Sequence, residues 1–171
     1  MKFDLEYTAL LPLKDFVIDI YEDDLDYLGA YLLVIEDALT QTGNVQFHFE
    51  CLGEKWNVYI WGDFSVFCEH LVGLYDFCMA KDEPDFFILD FYEQGIERKL
   101  EFSRYEGYIL EIKNKSAGWE SPLQNELLNK DRLASDIRIF TEKIRSAVAI
   151  VCPAINELEM VERWYSHFIG E

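Results

Sequence analysis

The stretch Phe86-Phe87-Ile88-Leu89-Asp90-Phe91-Tyr92-Glu93-Gln94-Gly95-Ile96-Glu97-Arg98 organises the rest of the chain. Phe87, Leu89 and Phe91 point to one side of an extended segment, and Phe86, Ile88 and Asp90 point to the other. Apolar residues on both sides predict a strand covered on both faces, and so a central place in a sheet. A polar turn at Gln94-Gly95 closes it. Arg98, Leu100 and Phe102 then alternate with Lys99, Glu101 and Ser103, and Arg104-Tyr105-Glu106-Gly107 offers a tight turn with glycine supplying the positive φ. Tyr108, Leu110 and Ile112 run back, so residues 86–112 read as three sequential strands.

Working outward towards the N-terminus, Phe3, Leu5 and Tyr7 alternate with Asp4, Glu6 and Thr8, the pattern of a half-buried strand. Pro12 breaks it, because proline cannot donate to a ladder. Phe16, Ile18 and Ile20 alternate with Val17 and Asp19 as a second strand. Leu25, Leu28, Leu32, Ile35 and Leu39 recur at steps of three and four, which predicts a helix with Asp23 or Asp24 as N-cap and Gly43 at its end. Asn44–Cys51 and Trp56–Ile60 read as a hairpin through Leu52-Gly53-Glu54-Lys55. Val66, Phe67, His70, Leu71, Leu74 and Cys78 form the stripe of a second helix, with Asp63 or Ser65 as its cap.

Beyond the central strands, Asn114–Pro122 is a loop carrying Trp119. A helical part spans about residues 123–169. Leu133, Ile137, Phe140, Ile144, Val148 and Val151 line one helix, Pro153 stops it, and Ile155, Leu158, Val161, Trp164 and Phe168 line the last. The expected architecture is a single α+β domain, with a mostly antiparallel sheet of about six or seven strands and about four helices, in the order ββαββαβββαα. At 171 residues, with half of them hydrophobic, the chain can build a sizeable core without disulfides or metals.

Charge is the strongest compositional signal. The net charge is −18, and it is unevenly spread: residues 1–95 hold 20 acidic and 4 basic side chains, residues 96–171 hold 13 and 11. Such a field keeps a protein dispersed and attracts basic partners. It argues against direct binding to nucleic acid or an anionic membrane, since no basic patch meets phosphates. A helix start accounts for about two of Asp19, Glu22, Asp23, Asp24 and Asp26. It does not account for five. Cys51, Cys68, Cys78 and Cys152 have no metal or redox spacing. Met1-Lys2-Phe3-Asp4 opens no secretory signal and no apolar run reaches membrane length, so a cytoplasmic location is expected.

Catalytic signals are unspecific. There is no Gly-x-Ser-x-Gly elbow, and Cys68 and His70 would face apart on a helix. The acidic cluster lacks the glycine and distal glutamate of a calcium loop. No catalytic, metal or cofactor residue is assigned, and a non-enzymatic function is expected. A carboxylate pair for hydrolysis remains an alternative, because 33 acids make chance pairs certain.

Binding is better supported. Tyr21, Tyr27, Tyr31, Tyr59 and Tyr92 interleave with the acids, and aromatics with complementary charge are typical interface anchors. The partner-binding candidates are Asp19, Tyr21, Glu22, Asp23, Asp24, Asp26 and Tyr27, together with Asp82, Glu83, Asp85, Asp90, Tyr92 and Glu93 at the two ends of the central strand. Length, acidity, the order of elements and the segment Leu89-Asp90-Phe91-Tyr92-Glu93-Gln94-Gly95-Ile96-Glu97-Arg98 resemble the small immunity proteins of bacterial contact-dependent and polymorphic toxin systems. That resemblance implies a cytoplasmic antitoxin that blocks a basic toxin or nuclease domain by stoichiometric binding. A nucleic-acid mimic that inhibits a DNA-binding protein is the other binding alternative. The partner's identity and the oligomeric state are left open.

Overall fold

Alternation at the N-terminus is realised as β1 (Lys2–Tyr7), with Leu5 fully buried. The computed structural model describes residues 1–80, 84–92 and 97–169. β1 pairs antiparallel with β2 (Val45–Cys51), which pairs with β3 (Glu54–Trp56) to complete a three-stranded sheet. Cys51 faces Glu54 across a two-residue turn in which Leu52 and Gly53 both have positive φ, 52° and 79°. That geometry matches the twist of the flanking strands, and the glycine makes half of it cheap. β3 is shorter than expected: Ile60 is buried, but at the start of the following helix rather than in a strand.

The second sheet is antiparallel in the order β4 (Phe86–Phe91), β5 (Arg98–Glu106), β6 (Ile109–Asn114) and β7 (Asn125–Asn129). Among the described residues β4 is therefore an edge strand, not the central one. Leu89 and Phe91 are buried, whereas Phe86 is 54% exposed and Asp90 forms an ion pair with Lys99 on β5 (2.6 Å). A meander adds each new strand on the same side, and β1–β3 are occupied in their own sheet. The first strand of the meander is thus left at the rim. β5 also runs farther than expected, through a bulge between Arg104 and Glu106, and turns only at Gly107.

Helix α1 (Leu28–Gln41) begins later than its apolar stripe suggests. Glu22–Asp24 form a separate 3-10 turn, Leu25 is exposed, and no side chain caps α1. Phe16, Ile18 and Ile20 do pack on the core, yet residues 16–20 have no ladder partner and form no strand. Alternation there reports which side chains face inward, not that a neighbouring strand exists.

The stripe of α2 (Ile60–Met79) is buried as expected apart from half-buried His70, whose Nε2 lies 3.0 Å from the Asp90 carbonyl oxygen. The six predicted stripe residues of α3 (Lys130–Val151) are all buried. Its start at residue 130, rather than near 123, follows from β7. Lys113, Ile112 and Leu110 take Asn125, Glu126 and Leu128 as partners, and the Asn129 side chain accepts the N–H groups of Asp131 and Arg132. Pro153 does end α3, but the last helical segment is split into α4 (Pro153–Asn156) and α5 (Glu159–Phe168), giving the observed order βαββαββββααα.

Both sheets close on one cluster of rings. Phe67 on α2 contacts Phe3, Phe47, Phe49, Phe91 and Phe140, drawing both sheets and α3 to one point. Phe91 also meets Phe49 and Trp56 at 5.3 and 5.4 Å between centroids, so the edge strand packs directly on the other sheet. Among the described residues no helix is long and apolar enough to cross a membrane.

All four cysteines are free thiols. Burial pushes the Cys51 and Cys78 thiols up to about 12, and drives Cys68 well above the ordinary thiol value. Only thiolates react readily. A thiol reagent at neutral pH should therefore modify about one equivalent in the native protein, at half-buried Cys152, and four after denaturation. Rapid native labelling of two or more would contradict this packing, and mass spectrometry of the labelled peptides decides it.

Candidate partner-binding site

A cleft of about 710 Å³ opens beside the first half of α1 and the start of α2. Its walls are aromatic and apolar: Tyr27 before α1, Leu33 on α1, Tyr59 and Trp61 at the entry to α2, Val66 within it, and Tyr92 just after β4. Trp61 is 71% exposed and the three tyrosines are each more than half exposed. So many large rings at one concave surface are uncommon outside recognition sites.

Two carboxylates give the cleft its charge. Glu69 on α2 accepts hydrogen bonds from the Tyr27 hydroxyl (3.0 Å) and the Tyr92 hydroxyl (2.7 Å). It thereby holds together two rings that are 65 positions apart in sequence. Glu36 on α1 is 4% exposed and accepts from the backbone N–H groups of Gly62 (2.9 Å) and Ser65 (3.0 Å). It is the cap of α2, supplied from another helix, and its charge meets the positive end of the helix dipole. Backbone turns sharply there, with Trp61 at ψ 114° and Gly62 at φ 93°. Asp63 accepts from the Tyr59 N–H (2.9 Å) and steadies the same entry. The local kink aims Tyr59 and Trp61 outward. None of the described lining residues is basic.

Gly29 makes the close packing feasible. A Cβ built on it would collide with Glu69 Oε1 and the end of the Tyr27 ring, so both groups lie directly against the α1 backbone. Tyr31, two residues on, is buried and donates its hydroxyl to the Leu25 carbonyl (3.0 Å), which ties the acidic segment to α1.

The acidic segment lies alongside. A shallower concavity is lined by Phe16, Asp19, Ile20, Tyr21, Asp24 and Asp37, among others, and Leu33 borders both this concavity and the cleft. Tyr21 is 72% exposed. Among the described residues, Asp19, Glu22, Asp23, Asp24 and Asp26 form no ion pair and accept no side-chain hydrogen bond. The expected capping role of Asp23 or Asp24 falls away as well, since α1 starts at Leu28 with Tyr27 at its N-cap and no side-chain cap. The helix therefore explains none of the five.

Asp19, Tyr21 and Asp24 line the concavity that shares Leu33 with the cleft lined by Tyr27 and Tyr92, while Glu22, Asp23 and Asp26 line neither. Asp90 is engaged by Lys99, and Asp85 is exposed at the opposite end of β4, roughly 20 Å from Tyr92 by the rise of a strand. Asp82, Glu83 and Glu93 lie outside the described residues. Glu36, Glu69, Leu33 and Trp61 belong to the site, although sequence patterning gave no sign of them.

A second aromatic constellation is already filled. The Arg98 guanidinium lies 4.7 Å from the Trp56 ring centroid and 4.1 Å from that of Trp119, and donates to Glu54 Oε1 (3.0 Å). Trp119 Nε1 donates to Glu54 Oε2 (3.0 Å). The Arg98 hydrogen bond holds the Glu54 carboxyl below its usual value of 4.5, with Trp119 adding to the effect. This group pins the 115–122 loop to the first sheet. Comparison with family models, with curated proteins and with solved structures finds no match for the chain.

Proposed function

We propose that this chain is an immunity-type inhibitor, a binding protein that neutralises a basic toxin or nuclease domain by one-to-one association. The observation that carries the reading is the set of five carboxylates from Asp19 to Asp26, unengaged within the described chain, beside an exposed aromatic cleft. Carboxylates kept without internal partners strain an already acidic protein, and a basic partner relieves that repulsion. The rings offer rigid contact area at the centre and the acids steer the encounter. A cytoplasmic location goes with this reading and is supported by four cysteines held as free thiols.

Two measurements test it. Pull-down with the product of the adjacent gene should yield a stoichiometric complex, and an equimolar amount of this protein should abolish that product's activity. Activity that survives a tenfold excess sinks the proposal. In the same complex, Asp23→Lys with Asp24→Lys should slow association about tenfold at low salt and flatten its salt dependence, with a much smaller change in the dissociation rate. An association rate unchanged at low salt removes the acidic segment from the interface.

A further inference from the structure

We infer that the cleft between α1 and α2 is a receptor for an arginine side chain presented by the partner, an inference that rests on the binding role above and specifies its anchor. The chain itself displays what such a set of groups holds. Around Arg98, two indole rings set at 79° to each other both contact the guanidinium while Glu54 accepts its N–H. In the cleft the same chemical parts recur without a cation among the described lining residues: Trp61, Tyr27, Tyr59 and Tyr92 for the faces, and Glu69 for the carboxylate.

The chemistry selects the cation. Ring faces carry negative quadrupole density and attract a cation within about 6 Å of the centroid. Phenol donation uses part of the acceptor capacity of Glu69, and a carboxylate has about four lone-pair sites, so capacity remains for a guanidinium. An arginine can stack its plane on a ring and keep its N–H fork for the carboxylate; lysine is a compact and strongly hydrated charge that must give up more water to do the same. Glu36 adds its charge to the cleft and also shapes it through the backbone. By capping α2 at Gly62 and Ser65 it sets the kink that presents Trp61. The neighbouring acids raise the local concentration of any arginine-bearing segment.

The test needs no knowledge of the partner. N-acetyl-arginine-methylamide is titrated into the whole protein, with the lysine and citrulline analogues and tetramethylammonium in parallel, while amide and indole NMR shifts are followed. Saturable shifts are expected at Trp61, Gly62 and Glu69, with a Kd in the millimolar range for arginine and at least about threefold weaker binding for the others. Trp61→Ala, a change at an exposed side chain, should abolish the shifts, and Glu69→Gln should weaken binding about tenfold. Equal binding of citrulline, tighter binding of lysine or tetramethylammonium, or no saturable shift at the cleft overturns the assignment. The two proposals fail separately. A cleft that ignores arginine in a protein that still inhibits its partner removes only the anchor. Arginine binding in a protein that inhibits nothing removes only the inhibitor role.

Discussion

Phe67→Ala should lower unfolding stability by about 3–5 kcal/mol, the range for removing a fully buried aromatic ring. The position leaves little room for collapse. Its ring stands parallel to Phe91 at 6.1 Å, is tilted 28° to Phe47 at 5.5 Å, and meets Phe3, Phe49 and Phe140 at steeper angles. These partners come from β1, β2, β4 and α3, each tethered in its own element. A cavity there loses contacts on every side at once. Against a typical total of about 5–15 kcal/mol, about a fifth or more of the stability would go. Urea denaturation followed by far-ultraviolet circular dichroism measures the loss. Phe86→Ala on the exposed side of β4 serves as the control and should stay within about 0.5–1 kcal/mol. Equal effects at the two positions would refute the placement of the core.

Glu36→Ala should cost about 2–3 kcal/mol and loosen the entry to α2. The substitution strands two N–H groups, those of Gly62 and Ser65, at the helix entry where Asp63 accepts the Tyr59 N–H. A buried donor without an acceptor costs its desolvation, and the dipole loses its counter-charge. Glu36→Gln keeps one acceptor oxygen and should recover about half of the loss. The site-specific readout is hydrogen exchange: the Gly62 and Ser65 amides should lose protection well before the middle of α2. Uniform acceleration along the whole helix would mean that Glu36 acts only through global stability. Because Trp61 lies next to this cap, its fluorescence should report the same loosening.

Elements whose information is local were legible directly. The six stripe positions of α3 recur at helical spacing, and all six are buried, because a long amphipathic helix with one apolar face has one way to sit on a core. Val45–Cys51 alternates and forms a strand, and Leu52-Gly53 turns where turn chemistry says it should. Errors arose where a strand needed a partner. Residues 16–20 alternate as well as β1 does but find no ladder, while Asn125–Asn129, with little alternation, becomes β7 because β6 offers a free edge beside it. Phe86–Phe91 has the apolar content of a central strand and sits at a rim, since pairing order is a property of the whole meander.

The same division holds for the site. Acidity, its concentration in the first 95 residues and the excess of aromatics are set by composition. No local pattern could show that Glu36 would leave its own helix to cap another, or that Glu69 would draw Tyr27 and Tyr92 together. Those contacts join residues up to 42 positions apart, and their geometry follows from how α1 packs on α2 and where β4 ends. Side-chain chemistry is written residue by residue, whereas a cleft exists only after distant backbones have been fixed against one another. Charge and periodicity thus settled what kind of surface this chain carries, and tertiary packing alone decided where its rings and carboxylates converge.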